Sequence, residues 1–109
     1  MATTLKNVVT NNVGTLPVKI LETSVGVRVT VLGVSITNLT ASNVYISVLI
    51  KDDTSVTGYY LKDILVPTNT SLRALNGGEK LILAPENILY VQSDVDDSID
   101  VITSYVEIT

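Results

Sequence analysis

The feature that most constrains this chain is a series of short apolar runs, each closed by residues that favour turns. In the clearest run, Val44, Ile46, Val48 and Ile50 occupy every second position before an Asp52-Asp53 turn. Alternation with a period of two is typical of a β-strand that buries one face. Turn residues recur roughly every eight to twelve positions, which is the spacing of an antiparallel sandwich or barrel.

These runs predict a single all-β domain. We expect it to fold as one antiparallel β-sandwich of jelly-roll or immunoglobulin-like topology with eight to nine strands. We expect residues 44–51 and 56–66 to form a central hairpin with a four-residue loop. The other predicted strands are 15–22, 27–38, 71–75, 79–83, 87–92 and 99–108, with connecting turns at 76–78 and 84–86.

Two residues refine the strand predictions. Pro17 has no N–H to give to a ladder, so the strand over residues 15–22 is predicted to lie at a sheet edge. The alternation in 27–38 changes parity at Gly33, which predicts a β-bulge or bend. A strand bent there could cross from one sheet to the other.

Composition excludes several kinds of chemistry. The sequence contains neither Cys nor His, which removes thiolate and imidazole groups for catalysis and for transition-metal binding. The net charge is −4, and the seven basic residues are spread along the chain, so we expect no nucleic-acid partner. No apolar run approaches the ~20 residues of a membrane-spanning helix, so we expect no membrane partner. The sequence predicts neither a cofactor nor an enzymatic activity.

The first residues differ from the rest. Residues 1–14 are polar apart from the short piece from Leu5 to Val9, and Asn11-Asn12-Val13-Gly14 closes them. We divide the chain into an N-terminal arm, 1–14, and a sandwich domain, 15–109. The arm is interpreted either as a frayed terminus or as a strand that pairs with a neighbouring subunit. In the second case Leu5 and Val8 would contact that neighbour.

The acidic turn before the last strand is the one constellation that resembles a site. Asp94, Asp96, Asp97 and Asp100 supply the hard oxygen ligands that calcium prefers. The turn lacks the spacing, the glycine and the closing Glu of a helix–loop–helix calcium site. Because Asp is also a favoured turn residue, a solvated acidic turn is the preferred interpretation and the aspartates are weak metal candidates.

The tyrosines are candidate contact residues. Tyr59 and Tyr60 are adjacent in a predicted strand, so one ring points to each face. Tyr45 and Tyr105 are expected opposite the aliphatic faces of their strands. Amphipathic rings outside a core are typical of interface anchors, and Tyr59, Tyr60 and Tyr105 are predicted contacts. The alternative is that these rings cover the second face of a sheet.

Several segments together resemble a known group. They are Thr37-Asn38 before the central hairpin, Tyr59-Tyr60-Leu61, Leu81-Ile82-Leu83 and the final run from Asp100 to Ile108. Over about residues 15 to 108 the chain resembles small virion structural proteins of tailed bacteriophages. Pro85-Glu86-Asn87 departs from that pattern, where Gly-Asp is usual.

The resemblance implies a particle-building role in the virion, assembled in the host cytoplasm. The function expected first is that of a capsid decoration or cement protein, which binds the major capsid protein or other virion proteins and forms a homo-oligomer, with a trimer favoured. The alternative is a neck, tail or baseplate component that binds a host surface or a glycan.

Overall fold

The structure is a computed structural model that describes residues 2–75 and 80–109. These residues contain no helix, and so none that could cross a membrane. They form nine strands, β1 Thr3–Val13, β2 Val18–Glu22, β3 Arg28–Asn38, β4 Val44–Lys51, β5 Thr57–Val66, β6 Ser71–Arg73, β7 Leu81–Leu83, β8 Ile88–Ser93 and β9 Ile99–Ile108. The all-β prediction is confirmed. The turn predicted at 76–78 lies outside the described residues, as does residue 79.

The strands form two antiparallel sheets that pack as a sandwich. The first sheet has the order β1-β9-β3-β6, with β7 also pairing with β3, and the second has the order β2-β8-β4-β5. The early strands pair with the late ones in reverse order: β1 with β9, β2 with β8, β3 with β6 and β7, and β4 with β5. The chain is therefore one long antiparallel ribbon, with the β4–β5 hairpin at its tip, wound into a jelly roll.

The core lies between the inner faces of the two sheets and is almost wholly aliphatic. Its fully buried side chains include Val31 and Ile36 from the first sheet and Ile46 and Val91 from the second. Complete burial of such a side chain stabilises the fold by about 1.5–3 kcal/mol relative to exposure. These Val, Ile and Leu side chains form the core that stabilises the fold, and a sequence without Cys supplies no disulfide to it.

The parity change predicted in β3 is a β-bulge. Val31 pairs with Tyr105 and Gly33 with Ser104, so Leu32 is the extra residue on β3. Val31 and Val34 consequently both face the core, although they are three residues apart. The expectation that this strand crosses between sheets is wrong. The bulge absorbs the extra residue, so β3 keeps its pairing with β9 on both sides and stays in the first sheet.

Residues 1–14, predicted as an arm, mostly form the edge strand β1. Its pairing with β9 begins at Thr3 and Ile108 and ends at Val13 and Ile99. Beyond the strands, Ala2 and Thr109 exchange backbone hydrogen bonds of 3.1 and 2.9 Å. Pairing of this segment with a neighbouring subunit stays a prediction. The edge position predicted from Pro17 is confirmed, because β2 begins directly after Pro17 and ends the second sheet.

One buried amide organises the loop between β3 and β4. Asn38 is 1% exposed, and its Nδ2 donates to the carbonyl oxygens of Ser42 at 2.8 Å and Val66 at 3.0 Å. Its Oδ1 accepts from both the backbone N–H and the hydroxyl of Thr40, each at 2.8 Å. A buried side chain with all four bonds made costs little to bury and fixes the loop geometry.

Candidate functional site on the outer sheet faces

Carboxylates of the acidic turn accept hydrogen bonds from other parts of the chain. Asp94 Oδ1 accepts from the backbone N–H of Tyr45 at 2.9 Å, next to the start of β4. Asp96 Oδ1 accepts from the backbone N–H of Thr15 at 3.3 Å and from its hydroxyl at 3.0 Å. These carboxylates therefore bond to two segments that are far apart in the sequence.

The other two aspartates have structural positions as well. Asp100 Oδ1 accepts from the backbone N–H of Asn12 at 3.0 Å, where the register of β1 shifts. Asp97 holds a φ of 51°, a left-handed conformation that Asp tolerates better than most residues. Across residues 2–75 and 80–109, no group of three or more acidic side chains is arranged to hold a metal ion. Three of the four aspartates accept hydrogen bonds from backbone N–H groups of other segments.

The predicted tyrosine contacts lie in different environments. Tyr59 is 55% exposed, and Lys62 Nζ lies 5.2 Å from its ring centroid. Tyr60 is partly buried and packs against the core, as expected for its opposite side of β5. Tyr105, which the sequence placed outside the core, also packs against it, because it pairs with the buried Val31 and so shares its face. Of the three rings, Tyr59 is the exposed one.

The two predicted contacts in β1 lie on opposite faces. Val8 pairs with Thr103 and is partly buried against the core. Leu5 pairs with Val106 on the outer face and is 76% exposed. Leu5 is therefore available to a partner, whereas Val8 stabilises the fold of its own chain.

The outer face of the first sheet carries a continuous cross-strand row. Leu5 pairs with Val106, Val106 with Thr30, and Thr30 with Ile82. Directly opposite residues in an antiparallel ladder share a face, so this Leu5–Ile82 row spans four strands. Leu5 is 76% and Ile82 64% exposed.

A second row runs beside the first. Val9 pairs with Ile102 and Ile102 with Ser35, and Val9 is 64% and Ile102 46% exposed. The exposed arginines of this face lie away from its middle, Arg28 at the start of β3 and Arg73 on the edge strand β6. Arg73 pairs with Ser35, so a charged side chain ends the second row, and the surface between the two rows is apolar or uncharged over β1, β9 and β3.

Val9, Ile82 and Ile102 were not predicted as contact residues. The alternation Leu81-Ile82-Leu83 already indicated that Ile82 faces away from its neighbours. The joining of Val9 to Ile102 depends on the pairing of β1 with β9, for which the sequence carries no local signal. The apolar surface therefore depends on which strands pair, and none of these three residues can be recognised as a contact residue from the sequence around it.

The outer face of the second sheet carries a depression of about 220 Å³. Tyr45 and Tyr59 line it, and they are 46% and 55% exposed. The rest of the lining is polar and consists of Thr15, Ser47, Asp63, Gln92, Ser93 and Asp94. The lining of this depression is polar and aromatic, although the exposed Leu65 pairs with Tyr45 on the same face.

Comparisons with known proteins give a fold but no family. No family model matches the sequence, and no curated protein matches it. One similar solved structure comes from Bacillus endospore appendages, which form a family of disulfide-linked pili. The TM-score is 0.59 at 7% identity, with 98% of this chain and 88% of that chain covered.

A second similar structure belongs to the T13 viral particle of infectious bursal disease virus. Its TM-score is 0.58 at 7% identity, and the match covers 96% of this chain but 30% of that chain. At such identities the likeness concerns the fold alone. The present sequence has no Cys, so these 109 residues supply no disulfide of the kind that links the appendage pili.

Proposed function

We propose that this protein is a non-enzymatic structural protein that coats or builds a larger particle. The observation that carries the proposal is the outer face of the first sheet, where the Leu5–Ile82 row and the Val9–Ile102 pair expose apolar side chains on a rigid, four-strand surface. Contiguous exposed apolar side chains supply the contact area of protein-binding surfaces, and here four of them, Leu5, Val9, Ile82 and Ile102, lie on one sheet face. The likeness in fold to a chain of a viral particle and to a chain of endospore pili is consistent with this role.

The size of the surface favours many weak contacts over one strong contact. The outermost of four neighbouring strands lie three spacings apart, about 14 Å, and the five residues from Leu5 to Val9 cover four steps, about 13 Å, which gives roughly 190 Å². A stable standard interface buries about 800 Å² on each partner. A contact of this size therefore works through repetition over a lattice, where each bound copy raises the effective concentration of its neighbours.

Within this class, we propose a capsid decoration or cement protein of a tailed bacteriophage. The resemblance of the chain to small phage virion proteins supports the assignment, and the apolar face would contact the major capsid protein. A homo-oligomer, with a trimer favoured, would present the same face several times around a symmetry axis.

Val9 and Val56 offer a matched test, because each is a valine with 64% exposure. Val9 lies on the apolar face, whereas Val56 precedes β5 in the hairpin of the second sheet. We expect Val9→Lys to reduce cosedimentation with phage heads that lack decoration protein by at least about tenfold, because a lysine at a buried contact must be desolvated. Val56→Lys should bind as the unsubstituted protein does.

Two results would oppose the proposal. Equal loss of binding in both variants would place the contact elsewhere. Binding of the unsubstituted protein to isolated tails or baseplates, with no binding to heads, would replace the capsid role with the neck, tail or baseplate role. Light scattering after gel filtration measures the oligomer of each variant and tests the trimer separately.

A further inference from the structure

We infer that the depression on the outer face of the second sheet binds an extended carbohydrate between Tyr45 and Tyr59. This inference goes beyond the structural role proposed above and does not depend on it, because the two surfaces lie on opposite sides of the sandwich. It rests on the arrangement of the two rings, on the polar groups between them and on the open shape of the site.

The two rings are placed as separate platforms. Tyr45 lies on β4, and Tyr59 on β5 pairs with Leu49, four residues further along β4. Four strand residues correspond to about 13 Å, so the rings stand at the two ends of the depression. Both rings are about half exposed. The apolar faces of sugar rings stack on such exposed aromatic surfaces, and this separation suits a ligand of two or more sugar units.

The floor between the rings is rich in hydrogen-bond acceptors. Gln92 donates its Nε2 to the carbonyl of Thr15 at 3.1 Å, which leaves its Oε1 to accept. Asp94 uses Oδ1 on the backbone of Tyr45, and its second oxygen remains. The Asp63 carboxylate has no hydrogen-bond donor among the residues that the structure describes. Such a floor requires a ligand with several donors.

Ser47 is a buried residue in the lining of the depression. It is 6% exposed, and its hydroxyl oxygen accepts from the backbone N–H of Asp63 at 3.1 Å. Asp63 has a φ of 52°, and the register of β4 and β5 shifts beside it. The irregular pairing brings the Asp63 side chain to the lining of the depression, which a bulge in a strand commonly does near a binding site.

A cationic side chain is the competing occupant, since the site contains two carboxylates and two rings. Two observations favour a saccharide. A single guanidinium or ammonium group cannot reach both rings across about 13 Å. The ring of Tyr59 already has a cation against it, because Lys62 Nζ lies 5.2 Å from its centroid. Sugar hydroxyls supply donors along the whole length of the site.

The test is a titration of the ¹⁵N-labelled protein with defined oligosaccharides, followed by amide chemical shifts. The probes are maltotriose, N,N′,N″-triacetylchitotriose and a galactose-terminated trisaccharide, with a hexa-arginine peptide as the cationic probe. We expect at least one saccharide to shift the amides of Tyr45, Asp63 and Gln92, with a dissociation constant of about 1 mM or below. Tyr59→Ala should weaken this binding about tenfold.

Two further variants test whether a loss of binding comes from the site or from damage to the fold. Asp63→Asn keeps a residue that tolerates a positive φ, replaces one acceptor oxygen with a donor and should also weaken binding. Tyr90→Ala removes a ring from the same sheet outside the depression, and it should leave saccharide binding unchanged.

Several outcomes would overturn the inference. They are no shift with any of the three saccharides, equal weakening by Tyr90→Ala, and binding of hexa-arginine alone. Val9→Lys separates this inference from the structural role, because it should retain saccharide binding even where it loses binding to heads.

Discussion

The most informative single substitution is Thr103→Val, in the middle of β9. Thr103 is 0% exposed, and its hydroxyl has no hydrogen-bond partner within the described residues. Its cross-strand neighbours are Val8 on β1 and Val34 on β3. The fold thus removes a hydroxyl from water and places it between valines.

The expected effect follows from desolvation. Burying an unpaired hydroxyl costs about 1–3 kcal/mol in proteins, and Val has nearly the same shape without that group. Thr103→Val should therefore raise the free energy of unfolding by about 1–2 kcal/mol. For a domain of this size each kcal/mol corresponds to roughly 4–8 °C in melting temperature.

A matched control comes from a second buried threonine. Thr23 is 3% exposed, but its hydroxyl donates to the carbonyl of Ala84 at 2.6 Å and accepts from the backbone N–H of Asn87 at 2.8 Å. The same change, Thr23→Val, should destabilise the protein by about 1–3 kcal/mol, since it leaves buried groups unpaired.

Urea titration and calorimetry measure both variants. Opposite signs for the two substitutions are the expected result. If Thr103→Val leaves stability unchanged or lowers it, the reasoning from the unpaired hydroxyl is refuted, and the threonine has a partner or a packing role that its neighbours do not indicate.

Three further predictions concern the loops. Asn38→Ala removes four hydrogen bonds, so it should lower the free energy of unfolding by about 2–4 kcal/mol in urea. Glu86 holds a φ of 64°, so Glu86→Gly should raise stability by up to about 1 kcal/mol, and calorimetry should show no such gain for Glu86→Ala. The pKa of Asp52 lies below its ordinary value of 3.8, chiefly because the Thr54 hydroxyl donates to it and then because the N–H of Val56 does. Because the pKa of Asp52 is lower in the folded state, its ionised carboxylate stabilises the fold at pH values above 3.8, and this stabilisation is lost as the pH falls through the folded-state pKa. The difference in melting temperature between the unsubstituted protein and Asp52→Asn should therefore shrink between about pH 7 and pH 2. A difference independent of pH would contradict the last prediction.

The sequence predicted those parts of the fold that depend on neighbouring residues. The alternation from Val44 to Ile50 identified β4 and its buried face, and the parity change at Gly33 located the bulge. Both signals are local, because side chains alternate along a strand whatever its partner. Which strands pair is a different matter. Nothing near Leu5 indicates that it faces Val106, about a hundred residues later.

The candidate surfaces were accessible to sequence reasoning only in part. Alternation correctly placed Tyr59 and Tyr60 on opposite sides of β5, but it placed Tyr105 on the wrong face of β9. Tyr105 faces the core because it pairs with the buried Val31, and the sequence does not show that pairing. The depression between Tyr45 and Tyr59 needs the β4–β5 register as well. That register is irregular at Asp63, and an irregular register cannot be predicted from the alternation of apolar and polar residues.

The ribbon arrangement of the strands also has a kinetic consequence. The β4–β5 hairpin closes a loop of a few residues, whereas the pairing of β1 with β9 joins segments at opposite ends of the chain. Because the entropic cost of loop closure rises with the length of the loop, we expect pairing to proceed from the hairpin outwards and β1 to dock last. Until then β9 has an open edge, and β1 of a second copy can occupy it. We therefore expect exchange of this strand between two copies to increase with protein concentration during folding.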